Sequence, residues 1–102
     1  MTDALVVLCT CADERQALGI ANALIETRAA ACVTLLPAVQ SVYHWQGKIE
    51  KTSEILLLIK TTEDRFRTVE NKIVELHSYD TPEIIALPVI DGLQRYLTWL
   101  QS

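Results

Sequence analysis

Two long runs rich in apolar and β-branched residues, separated by Gln46-Gly47, constrain this chain more than any other feature. One runs from Cys32 through Leu36, Val39 and Val42 to Trp45, and the other from Lys48 through Ile55 and Leu58 to Thr61. Together residues 32–61 read as one β-hairpin with a tight turn. At roughly 3.3 Å per residue, arms of about thirteen residues span on the order of 43 Å, more than twice a common strand. A domain of this length has a radius of gyration of only about 13 Å. The hairpin is therefore expected to project past its own core, carrying Tyr43, Trp45 and Ile49 at its far end. Those side chains are costly to leave in water, so the tip is expected to pair with a second copy of the chain.

The remaining segments place the hairpin in a fold. Ala4 to Cys11 is a near-continuous apolar run, expected to be a strand buried on both faces. Asp13 stands at a helix N-cap position with Gln16 three residues on. Ala17, Leu18, Ala21, Leu24 and Ile25 follow at helical spacing and predict a helix over residues 14–29. Gly19 lies inside it, and close packing against the sheet is one use for it. Pro37 lacks an N–H, so the first hairpin arm needs a bulge or an unpaired edge there. Thr61 or Thr62 is expected to cap a second helix striped by Phe66, Val69, Ile73 and Leu76. His77 to Pro82 reads as a loop and Glu83 to Ile90 as a last strand interrupted by Pro88. Asp91 is expected to cap a short terminal helix carrying Leu93, Tyr96, Leu97 and Leu100.

The order β-α-β-β-α-β plus a C-terminal helix is the α+β, ferredoxin-like βαββαβ sandwich, with both main helices on one face of an antiparallel sheet. One short helix is left to cover the other face, a second reason to expect an oligomer. The 102 residues suit one domain, residues 1–102. A net charge of −4 argues against nucleic acid and against an anionic membrane surface as partners. The longest wholly apolar run, Ile55 to Ile59, falls far short of the roughly 20 residues of a membrane span. The start Met-Thr-Asp carries no basic region of the kind that opens an export signal. Three cysteines and no such signal point to reduced thiols in a cytoplasm.

Several segments resemble the CutA family of divalent-cation tolerance proteins. They are Val-Val-Leu-Cys9-Thr, Ala30-Ala31-Cys32-Val33 with Pro37, Ser41-Val-Tyr43-His-Trp45-Gln-Gly47-Lys48-Ile-Glu50, Lys60-Thr61-Thr62 and His77-Ser-Tyr79-Asp-Thr81-Pro82-Glu83-Ile84. The resemblance runs from about Val6 to Leu100. It implies a ferredoxin-like fold, a homotrimer joined by intermolecular strand pairing, a cytoplasmic location in bacteria, and a link to copper and other divalent metal ions. No catalysis is expected of the chain. Carried over residue by residue, the metal ligands it implies are Cys9, a histidine of the loop region, here His77, and Glu83. The chain departs from the pattern at Leu76, where some relatives have a second histidine, and at Ser78, where proline is usual.

The residues also carry a reading of their own. Cys9 and Cys11 form a C-x-C on one face of a strand, and a thiolate pair with His77 suits Cu(I) or Zn. Against that, buried strand cysteines pack as small hydrophobes. Two ligands so spaced on a strand are also expected to chelate one ion only with backbone distortion. His77 and Glu83 flank one loop and would serve as ligands, or as the acid–base pair of a small isomerase, only if they converge. Otherwise His77 complements a helix C-terminus. Tyr43, Trp45, Tyr79 and Trp99 suit an interface, with rings on the apolar side and polar handles toward water. Lys60 beside Thr61-Thr62 and a helix start is a candidate anion site. It would matter most in a signalling module like the PII-type trimers, which bind a small anion and a partner protein.

Overall fold

A computed structural model describes residues 2–102. The elements are β1 (Ala4–Cys11), α1 (Glu14–Glu26), β2 (Cys32–Trp45), β3 (Lys48–Thr62), a 3-10 turn (Glu63–Arg65), α2 (Phe66–Leu76), β4 (Ile85–Pro88) and α3 (Gln94–Gln101). The strands form one antiparallel sheet in the order β2-β3-β1-β4. This is the ferredoxin-like arrangement expected from the element order.

The hairpin is as long as its sequence demands. The molecule measures 45 × 26 × 22 Å, with a radius of gyration of 14.2 Å. Central strand β1 pairs with β3 only from Ile55 to Thr62, so the outer half of the hairpin has no third strand among the described residues. At the tip, Gln46 (φ 49°) and Gly47 (φ 77°) both take positive φ between Trp45 and Lys48. That is the backbone of a type I′ turn, whose twist matches the flanking strands. Pro37 produces the expected bulge: the β2–β3 register slips between Leu36 and Val39, with Ala38 at φ 57°.

The two faces of the sheet differ. Val7, Cys9, Cys11, Leu57 and Ile59 pack beneath Ala17, Ile20, Leu24, Val69 and Ile73 of the two main helices and form the core. The opposite face carries Val6, Leu8, Leu56 and Leu58, which are half-buried. The strand expected to be buried on both faces therefore alternates. Helix α3 covers only one end of the open face, where Leu97 and Leu100 meet Ala4. Ile85 and Leu87 on edge strand β4 and Leu36 on β2 stay exposed.

Several boundaries differ from the sequence reading. Asp13 does cap α1, its Oδ1 accepting from the Gln16 N–H at 2.8 Å. The helix stops at Glu26 and not at residue 29, because Arg28 enters the left-handed region at φ 61°. The N–H groups of Arg28 and Ala29 then close on the carbonyls of Ile25 and Leu24 at 3.1 and 2.9 Å. This is a Schellman ending built without the usual glycine, so no sequence signal marks it. A Cβ on Gly19 would meet nothing within 4 Å, so close packing does not explain that residue. The Thr62 hydroxyl donates to the Asp64 carboxylate at 2.5 Å and caps no backbone N–H. Asp91 accepts from the adjacent Gly92 N–H, and α3 instead begins after Leu93. The last strand shrinks to the four residues that pair with β1.

Candidate metal centre

Strand alternation points Cys9 and Cys11 to the same side of β1, into the core. Neither sulfur-bearing residue has any exposed surface. Helix α2 ends at Leu76, and His77 turns to extended backbone (φ −74°, ψ 142°) while its N–H still donates to Ile73. That turn lays the imidazole across the end of β1. The donor atoms of Cys9, Cys11 and His77 all lie within 4.8 Å of one another. The two cysteines converge while β1 keeps an unbroken register with β3.

His77 is fixed at both nitrogens. Nε2 lies 2.7 Å from the Thr10 carbonyl, and Nδ1 lies 3.0 Å from the Tyr79 backbone N–H. A carbonyl only accepts and an amide N–H only donates, so the network assigns the proton to Nε2 and leaves Nδ1 as acceptor. Tyr79 packs against the imidazole with ring centroids 4.6 Å apart. Its hydroxyl donates to Glu54 Oε2 at 2.7 Å. Burial and the Glu54 carboxylate push the Tyr79 phenol above its ordinary range. Thr10, His77, Tyr79 and Glu54 thus form one hydrogen-bonded chain from β1 through the loop to the hairpin.

The two thiols act on each other. Cys9 Sγ donates to the Thr10 carbonyl at 3.9 Å. Its pairing with the Cys11 thiol and burial push the Cys9 thiol up, and the charges of Glu83 and Glu54 add to this. The same pairing holds Cys11 down against its own burial.

The remaining candidates fall elsewhere. Glu83 is exposed and lies outside the donor cluster, though near enough for its charge to act on Cys9. No hydrogen bond joins it to His77 among the described residues, and both His77 nitrogens already hold backbone groups. Lys60 reaches across the open sheet face, its ammonium donating to Thr34 Oγ1 at 2.5 Å, with Cys32 Sγ at 3.9 Å. The hydroxyls of Thr61 and Thr62 are committed to the Ala29 carbonyl and to Asp64, so they do not converge on that ammonium. Tyr43 is exposed on the hairpin with its hydroxyl on Thr52 at 2.9 Å. Trp45 and Trp99 are exposed, and Trp99 packs on Tyr96. Tyr79 is half-buried.

Sequence reasoning missed Glu54 as a member of the site. Its signal was an acid placed immediately before the apolar run Ile55 to Ile59, where a buried carboxylate needs a donor. A metal ion entering here meets two buried sulfurs, that of Cys9 already donating to the Thr10 carbonyl. A third ligand requires His77 to give up one hydrogen bond, and a fourth requires Glu83 to swing inward.

Comparison with known proteins finds relatives along nearly the whole chain. The family described as CutA1 divalent ion tolerance protein matches residues 5–102. The divalent-cation tolerance protein CutA of Pectobacterium atrosepticum is 47% identical over 102 residues, covering 100% of this chain and 93% of its own. The crystal structure of CutA from Xylella fastidiosa superposes with a TM-score of 0.95 at 45% identity, covering 97% of this chain and 95% of that one. A more distant relative, described as the periplasmic divalent cation tolerance protein CutA from Archaeoglobus fulgidus, gives a TM-score of 0.92 at 35% identity, covering 95% and 94%.

Proposed function

The chain belongs to the CutA1 family of divalent ion tolerance proteins, and from that premise we propose that it is a homotrimer that holds a metal ion and does not catalyse a reaction. The observation that carries the metal part is the buried convergence of Cys9, Cys11 and His77 within 4.8 Å. Thiolate and imidazole are the donors that soft and borderline ions such as copper and zinc prefer. Glu83 is the residue that completes a four-coordinate set by moving inward. The chemistry on offer is coordination: the only histidine in the cluster is held by backbone groups at both ring nitrogens.

Exposed apolar surface supports the assembly. At the hairpin tip Val42 is 65%, Trp45 61% and Ile49 71% exposed. The outer half of the hairpin is a two-stranded ribbon with two free edges, which invites strand pairing with another chain. Ile85, Leu87 and Leu36 add an uncovered sheet face, and Tyr96 and Trp99 an uncovered helix face. Glu54 sits where the projecting half of the hairpin begins, so a neighbour paired there would roof the metal site. No helix among the described residues is long and apolar enough to cross a membrane. A cytoplasm, where thiols stay reduced, is the compartment that suits three free cysteines.

Reduced protein dialysed against copper or zinc tests this reading. Wild type is expected to retain metal in proportion to chain and to have a mass near three times 11.4 kDa. Cys9→Ser is expected to lose the metal and keep the mass. A monomer, or metal retention equal in the two proteins, would overturn it.

A further inference from the structure

Arg28 holds a backbone position that glycine usually takes. Its φ of 61° lies in the left-handed region, at the Schellman ending of α1. Residues other than glycine held in such conformations cluster at functional sites. Arg28 lines a cavity of about 350 Å³ where the end of α1, the start of β2 and the end of α3 meet. Arg65, from the 3-10 turn before α2, lines the same cavity. Its guanidinium donates to the backbone carbonyls of Gln101 and Ser102 at 3.3 and 3.4 Å, longer than a well-made N–H···O bond. Glu26 borders the cavity, and the charge of Arg65 acts on Asp64. The ion pairs among the described residues are nevertheless Arg67–Glu70 and Lys72–Glu75, so neither Arg28 nor Arg65 is paired with a carboxylate. We infer that this cavity binds a small organic oxyanion, a carboxylate or phosphate carried on a flat ring, between the guanidinium groups of Arg28 and Arg65 and the indole of Trp99.

The donors and the apolar surface set the ligand class. A guanidinium is always charged and offers five N–H donors in a planar fork that matches carboxylate and phosphate oxygens. A charged oxyanion forms shorter and stronger bonds than the two neutral carbonyls that Arg65 now holds. Ala30 and Ala31 add no donors, because their N–H groups are spent on the Leu24 and Lys60 carbonyls. Recognition of the anion therefore falls to the two arginines. Ile25 and Trp99, both exposed, supply the apolar surface, and the indole offers a face to a planar ring. The volume lies at the small end for ligand sites, which suits one ring and one anionic group rather than a nucleotide. Lys60, the anion candidate read from the sequence, does not line this cavity and holds Thr34 instead. The cavity shares no residue with the Cys9, Cys11 and His77 cluster, so the inference is independent of the metal reading.

The test is a titration followed by nuclear magnetic resonance on the reduced full-length protein in the assembly it forms. The chain has two tryptophans, so the indole N–H signals of Trp45 and Trp99 report separately. Benzoate and phenyl phosphate are the probes, with benzyl alcohol as the uncharged control. At least one anion should move the Trp99 signal and leave that of Trp45 in place, with a Kd below about 1 mM that weakens as salt is added. The tighter of the two probes tells whether the site prefers a carboxylate or a phosphate. Arg28→Gln and Arg65→Gln should each lose about tenfold in affinity, with the mass by light scattering unchanged. Arg28→Gly should lose binding as well, yet melt at or above the wild-type temperature, because glycine relieves the backbone strain. That split separates a binding role from a structural one. No Trp99 shift with either anion at about 10 mM, or an equal shift with benzyl alcohol, would overturn the inference. So would undiminished binding in either glutamine variant, or loss of the assembly together with the ligand.

Discussion

His77 donates from Nε2 to the Thr10 carbonyl at 2.7 Å, tying the loop after α2 to the end of β1 directly above Cys9 and Cys11. One side chain thereby both closes the core and roofs the candidate metal centre. Removing it leaves the part-buried Thr10 carbonyl with only the long Cys9 thiol contact and takes the acceptor from the Tyr79 N–H. His77→Ala is expected to cost about 1–3 kcal/mol in stability, read by chemical denaturation, and to speed hydrogen exchange at the Tyr79 amide. Unchanged exchange there would mean the loop is held by other contacts.

Tyr79→Phe tests the next link in the same chain. The Glu54 carboxylate is buried and takes the Tyr79 hydroxyl at 2.7 Å. Losing the donor leaves a buried charge unsatisfied, a loss on the order of 1–3 kcal/mol. Glu54→Gln in the Tyr79→Phe background should recover part of that loss, because an amide is cheaper to bury than a carboxylate. If the double variant is no better than the single one, the bond is not what stabilises this corner.

The hairpin tip offers a different test. Trp45→Ala or Tyr43→Glu is expected to weaken the assembly, since buried aromatic anchors often cost about 2 kcal/mol or more when truncated. Light scattering should show smaller species at micromolar concentration with the fold intact by circular dichroism. A full-mass assembly in both variants would remove the tip from the interface.

Acid should find Asp64. The Thr62 hydroxyl holds its carboxyl below the ordinary value of 3.8. A depressed folded value stabilises the protein when the pH is above the unfolded value, and that contribution disappears as pH falls through the folded one. Thr62→Val should therefore make acid unfolding begin at slightly higher pH, and Asp64→Asn should flatten that part of the profile. The group is fully exposed, so the shift should be small and shrink further in salt. Identical profiles in wild type and Thr62→Val would contradict the assignment.

The architecture was legible because it rests on periodicity and length. The alternation of Cys9 and Cys11, the Gln46-Gly47 turn and the Pro37 bulge follow from steric rules that act locally. The early end of α1 was not legible, because Arg28 adopts a conformation usually left to glycine. The capping roles given to Thr62 and Asp91 failed for a related reason: each side chain found a nearer partner in Asp64 or Gly92. Cys9, Cys11 and His77 could be named from residue type. Their convergence, the partners that occupy His77, and the part played by Glu54 depend on packing between segments more than 20 residues apart in sequence.

Diffraction from crystals of reduced protein grown with copper, recorded on both sides of the copper edge, is the measurement that bears most directly on the metal centre. The account expects one strong anomalous peak per chain within bonding distance of the Cys9 and Cys11 sulfurs. Peaks confined to surface carboxylates or to exposed His44, with the two sulfurs bare, would contradict it and make Cys9 and Cys11 ordinary members of the core.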